Sequence, residues 1–273
     1  MKVRIISAIV AIALLSVIVY LGNQAIGTAV FVIAVIGMHE FYRALEKGGY
    51  KPVCAAGFAA CLPLLYIAFS NVLPDVVGAV SLFSILAIGV FVLLVLLFCL
   101  LIFSNGKYTV SDISVTLFGI IYVAFLCSFI SITRNMENGY LYIWLIFIGA
   151  WATDIFAYFT GVSFGRTKIL PKVSPNKSLE GSIGGVAGCI MVMMLFGLYF
   201  HTALDVPLYH FAILGVLCGM ISQVGDWAAS AVKRATGIKD YGRIMPGHGG
   251  VLDRLDSVMF VAPVVYFYII IFF

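Results

Sequence analysis

The chain has 273 residues, 63% hydrophobic and 10% charged, with 16 Lys and Arg against 12 Asp and Glu for a net charge of +4. An ordinary soluble domain carries about 25% charged residues; that scarcity and a mean hydropathy of +1.14 exclude a soluble globular protein. The apolar residues come in long runs, not in alternating stretches of about ten, which argues for helical spans and against an outer-membrane barrel.

In chain order the runs predict nine transmembrane helices, near residues 3–21, 25–43, 52–70, 78–103, 111–131, 139–161, 182–200, 208–232 and 255–273. The first follows Lys2 and Arg4 as a signal peptide would, but no small-residue cleavage site ends it, so it reads as a helix. The fourth is long enough to tilt. Alternating loops then put every Lys and Arg except Arg134 on one side. That bias predicts a cytoplasmic N-terminus and a C-terminus on the far side. The expected fold is an all-α polytopic protein of the cell (inner) membrane. Residues 1–138 read as N-terminal transmembrane helices with short loops. Residues 139–273 read as a transmembrane catalytic region with cytoplasmic loops at 162–181 and 233–254. No internal repeat of the transporter kind is visible. The basic residues sit in short loops beside spans, so nucleic acid is not an expected partner. Cys54, Cys61, Cys99, Cys127, Cys189 and Cys218 lie in apolar runs without a CxxC pair and read as packing residues.

Ionisable residues inside spans are costly and tend to mark function. His39 and Glu40 end the second span; Glu40 either lines a cavity or pairs with Arg43. Asp154 lies about two turns before the cytoplasmic end of the sixth span, and Asp226 at a similar depth in the eighth. Either could be a neutral or paired acid, but one polar cavity open to the cytoplasm accounts for both. The loop from Gly161 to Gly181 carries Arg166, Lys168, Lys172 and Lys177 among hydroxyls and glycines. It suits phosphate, with Lys as a point charge and Arg as a fork, or lipid headgroups. Gly181, Gly184, Gly185 and Gly188 suit close helix packing, and such faces also make a homodimer plausible.

The eighth span continues through Asp226, Ser230, Lys233 and Arg234, spaced to share one helical face. A Gly-rich basic loop follows, from Lys239 and Asp240 through Pro246, Gly247, His248, Gly249 and Gly250. Its glycines let backbone N–H groups turn toward an anion. His248 touches phosphate, acts as an acid, or simply fits the turn. Asp253 and Asp256 are i, i+3 neighbours on either side of Arg254 at the start of the ninth span. They are first-turn capping residues or, with Asp226, oxygen ligands for Mg²⁺.

The segment Ser230 to Asp256 resembles the hallmark sequence of the phosphatidate cytidylyltransferases (CDP-diacylglycerol synthases). The Ser, Lys-Arg, Lys-Asp, Pro-x-His-Gly-Gly and Asp-Arg-x-Asp elements stand at the family's intervals. Ser174 to Gly181 resembles a second family element and Asp154 to Gly165 a third, so the likeness covers about residues 150–256. The resemblance implies a reaction of CTP with phosphatidic acid in the membrane. It also implies a metal site on Asp226, Asp253 and Asp256 that holds Mg²⁺ and, beside it, a monovalent cation such as K⁺. Lys233 and His248 join these as catalytic candidates. Lys177, Ser178, Ser230, Arg234, Lys239, Asp240, Gly249, Gly250, Arg254 and Asp154 are the substrate-binding candidates. A CTP-dependent lipid-alcohol kinase or an ether-lipid cytidylyltransferase could use a similar cavity. An ion-coupled transporter would use Asp154 and Asp226 as carriers.

Overall fold

The computed structural model describes residues 12–69, 82–242 and 249–273, apart from the side chains of 82–86. Residues 12–20 are helical. Helix α1 spans Asn23–Lys47, α2 Cys54–Ala59, α3 Leu62–Phe69 and α4 Leu82–Phe103. Helix α5 spans Val110–Asn135, with a π-helical segment at Ile120–Phe125. Helix α6 spans Gly139–Phe164, α7 Leu179–Leu204, α8 Leu208–Ala235 and α9 Leu252–Phe272. Between α6 and α7 lie two short antiparallel strands, β1 (Lys168–Leu170) and β2 (Ser174–Ser178). The protein is a polytopic, helical membrane protein.

Six of the described helices, α1 and α5–α9, are long and apolar enough to cross a membrane. The sequence leads one to expect nine, and the difference lies in the first, third and fourth runs. Most of 3–21, and the beginning of 78–103, fall outside the described residues. The third run is not one helix. It turns at residues 60–61 between α2 and α3. Pro63 stands in the first turn of α3, where its missing N–H is harmless; inside a continuous helix it would remove a hydrogen bond and clash. Hydropathy is blind to that break because the residues on both sides are apolar. The broken segment still runs the length of α5. Lys51 N donates to Asp112 Oδ1 (2.7 Å) at one end, and Asn135 Nδ2 donates to the Ile67 carbonyl (2.8 Å) at the other.

Local chemistry sets where these helices begin. Thr109 opens α5 with a capping box: its hydroxyl accepts from Asp112 N (3.2 Å) and Asp112 Oδ2 accepts from Thr109 N (2.8 Å). Ser178 caps α7 by accepting from Gly181 N (3.2 Å). In the bundle, Gly184 faces Thr160 and Gly188 faces Phe156, where any side chain would overlap its neighbour. The backbones of α6 and α7 therefore approach closely, as the glycine spacing predicts. Ile143, Leu145, Ile146, Met193, Leu214 and Val261 fill the interior.

The bundle's two ends differ in charge. Lys51, Lys177, Lys233 and Arg234 make their contacts at one end. Arg134 lies at the other, its guanidinium donating to the Val19 carbonyl (3.4 Å).

Candidate functional site

At the cation-rich end, α6, β2, α8 and α9 converge. Asp226, near the end of α8, forms an ion pair with Lys177 of β2. The hairpin that carries Lys177 is tied down twice. Glu180 accepts from the backbone N–H of Arg166 (3.0 Å) and Thr167 (3.1 Å), and Arg234 Nε donates to the Val173 carbonyl (3.3 Å). Burial alone would lower the Lys177 pKa, but the carboxylates of Asp226, Asp154 and Asp256 more than reverse this, and it stands above the usual lysine value. One ammonium thus pairs with Asp226 of α8 and stands within electrostatic reach of Asp154 of α6 and Asp256 of α9. Asp154 and Asp226, whose depths led to the expectation of a common polar cavity, thus lie within electrostatic reach of the same lysine.

A second cluster joins the end of α8 to the start of α9. Lys233 Nζ lies 2.7 Å from Asp253 Oδ1. The other oxygen, Oδ2, accepts from Tyr241 N (2.9 Å) and Gly250 N (3.0 Å). The ammonium also stands 5.4 Å from the centre of the Tyr241 ring. Tyr241 donates its hydroxyl to the Ala229 carbonyl (3.2 Å), and burial first, then Asp253 and Asp256, hold that phenol well above its ordinary pKa. Asp253 therefore organises the loop around it, with both oxygens engaged.

Asp256 is buried, its Oδ1 accepting from Ser257 N (2.8 Å). It meets α8 where Gly225 would bring a side chain to within 2.6 Å of the Asp256 carbonyl. Of the other residues singled out in the sequence, Asp154 lies exposed on α6, within electrostatic reach of Lys177 and of the exposed Arg254. Ser178 is buried and its hydroxyl caps α7, while Ser230 is half-buried. Arg234, Lys239 and Asp240 are exposed; Gly249 and Gly250 lead into α9. His248 lies outside the described residues, as do Pro246 and Gly247.

The sequence singles out Glu40, as lining a cavity or pairing with Arg43, without showing the partners it meets, and it gives no sign of Tyr122. Glu40 of α1 is buried, and its carboxylate accepts from Val251 N (3.1 Å) and Leu252 N (2.9 Å), capping α9. Tyr122, in the π-helical segment, packs against Phe41 with ring centres 5.2 Å apart. Its buried hydroxyl has no hydrogen-bond partner among the described residues, within electrostatic reach of Tyr241, Asp256 and Asp253. π-helical turns recur at functional sites, but no sequence pattern marks this one.

Could the site hold a metal ion? Among the described residues, no three His, Cys, Asp or Glu side chains are gathered into a ready-made cage. Mg²⁺ seldom uses one; it takes one or two carboxylates and completes its shell with water and substrate phosphate. Asp226 and Asp256, hard oxygen donors on crossing helices, fit that habit. Asp253, held by Lys233 and two amides, would have to exchange a partner to join them.

Comparisons with known proteins show the family. Residues 2–272 match the model of the cytidylyltransferase family. The phosphatidate cytidylyltransferase of Synechocystis sp. is 33% identical over 297 aligned residues, covering 98% of this chain and 96% of that protein. Those of Staphylococcus haemolyticus (32%) and Staphylococcus aureus (34%) each align over 96% of both chains.

Proposed function

The chain belongs to the phosphatidate cytidylyltransferase family, and we propose that its own reaction is CTP plus phosphatidic acid to CDP-diacylglycerol plus pyrophosphate. The observation that carries this reading is the pairing of Lys177 with Asp226 and of Lys233 with Asp253. Two cationic loops thereby converge on a set of carboxylates at one end of the bundle. An apolar pocket for a small solute would not call for such an arrangement. A polyanion meeting a second polyanion would.

An oxygen of the lipid phosphate, already anionic near neutral pH, attacks the α-phosphorus of CTP. The bond from that phosphorus to the bridging oxygen breaks, and pyrophosphate leaves with the electron pair. No general base is required. The chain must therefore bring two negatively charged groups together and hold them in line. Lys177 of β2 and Lys233 of α8 supply positive charge, with the exposed Arg234, Lys239 and Arg254 beside them. Ser178, which caps α7 beside Lys177, Ser230, on the same helix as Asp226, and His248 are positioning candidates. Asp226 and Asp256, joined by Asp253, are the residues that would hold Mg²⁺, whose chemistry when bound is to offset charge on the nucleotide phosphates. A monovalent cation such as K⁺ beside it belongs to the same proposal.

We place the site on the cytoplasmic face of the cell (inner) membrane, because the bundle end that carries it also carries the cations. There, CTP arrives from water while the acyl chains stay in lipid. Product analysis tests the reaction. CTP labelled at the α-phosphate should deliver its label to the lipid. A lipid-alcohol kinase would deliver only a γ-label and release CDP.

A further inference from the structure

We propose that Glu40 is a positioning residue for the start of α9, acting from the N-terminal half of the chain on residues 249–256; this rests on the reaction proposed above. Its carboxylate accepts from Val251 N and Leu252 N, at positions 211 and 212 residues away. These are amides at the start of α9, which have no intrahelical acceptor and favour an anion. Glu40 is 3% exposed, so its charge is satisfied there by backbone and not by water.

The same carboxylate sits in the neck of the loop. At Gly250, a β-carbon would lie 2.5 Å from both carboxylate oxygens, and at Gly242 it would overlap Oε1. A β-carbon on Gly242 would also lie 3.0 Å from the Gly250 Cα, so the chain leaves and re-enters side by side. Neither glycine has a positive φ, whereas Gly249 has φ +84°. Backbone conformation thus favours glycine at 249, whereas at 242 and 250 a side chain would have to displace the Glu40 carboxylate. Two carboxylates clasp the neck: Glu40 holds Val251 and Leu252, and Asp253 holds Tyr241 and Gly250. One turn further along α9 stands Asp256. Loosening Glu40 shifts Asp253 and Asp256 relative to Asp226, with α8 left in place.

The test uses the full-length protein in lipid nanodiscs with Glu40→Ala, Glu40→Gln, Gly250→Ala and the double variant Glu40→Ala/Gly250→Ala. Hydrogen exchange without substrate reads the clasp directly. Amides of Val251 and Leu252 should exchange about tenfold faster or more in Glu40→Ala, while amides within α6 and α7 are unchanged. In the turnover assay, kcat should fall by about 100-fold and KM for CTP should stay within about threefold. Gly250→Ala should cost activity in the wild-type background and add little to Glu40→Ala, because the clash partner is gone. Glu40→Gln keeps one acceptor and should lie between wild type and Glu40→Ala; it carries the test if Glu40→Ala does not accumulate. Unchanged exchange at 251–252 overturns the proposal. So does an equal cost of Gly250→Ala with and without Glu40. A wild-type protein that fails to use CTP refutes the reaction, while the exchange result still decides the clasp.

Discussion

Lys233 and Asp253 are joined across 2.7 Å, with side chains 13% and 5% exposed. The contact welds the last turn of α8 to the first turn of α9. Removing one member of such a pair leaves an uncompensated buried charge, which typically costs about 3–5 kcal/mol. Lys233→Met should therefore lower the thermal unfolding midpoint of the purified protein by several degrees and abolish turnover. Asp253→Asn can still accept from Tyr241 and Gly250 through its remaining carbonyl oxygen. It still leaves the buried Lys233 ammonium uncompensated, so it should lose stability as Lys233→Met does, and nucleotidyl transfer should collapse. An Asp253→Asn protein with normal turnover would remove Asp253 from the site.

Asp226→Asn should nearly abolish transfer while the protein still inserts and folds, since its ion pair with Lys177 is partly exposed. Membrane insertion is read by fractionation and turnover by pyrophosphate release.

The Lys177 ion pair has a pH signature. Because its pKa is raised above the usual 10.5, the stability it contributes is complete below that value and is lost as pH climbs through the higher folded value. The difference in unfolding midpoint between wild type and Lys177→Met should be flat from neutral pH to about 10 and shrink above about 10.5. A difference that already shrinks below pH 9 would contradict the pairing.

Close approach of α6 and α7 sets a steric limit. Gly188→Leu must displace Phe156, and Gly184→Leu must displace Thr160. Each should destabilise by about 1–3 kcal/mol, seen as a lower folded yield, while the protein that does fold keeps a near-normal kcat. A variant that folds normally would mean the helices stand further apart.

Much of this was legible in the residues. Long apolar runs specify helical spans, and the spacing of Asp226, Ser230, Lys233 and Arg234 puts these candidate residues along one helix. The turn before Pro63 was not legible, because composition stays apolar through it and only the backbone changes. The β1–β2 hairpin was not either: its residues read as a cationic loop, and the pairing of Lys168 with Ser178 leaves no periodic pattern in so short a strand. Glu40 shows the deeper limit. Periodicity reports which face a residue occupies, not which distant amide it meets, and Glu40 meets Val251 and Leu252 from the other half of the chain. The role of Asp253 as the hub of its loop was hidden for the same reason, since i, i+3 spacing from Asp256 is equally consistent with ligand and cap.

The most direct test is pyrophosphate release by the purified protein given CTP, Mg²⁺ and phosphatidic acid, with each omitted in turn and the metal also removed by chelation. Release should require all three, return when Mg²⁺ is restored, and match CDP-diacylglycerol mole for mole. Release of CDP with a newly phosphorylated lipid, or substrate-driven ion flux without pyrophosphate, would contradict it.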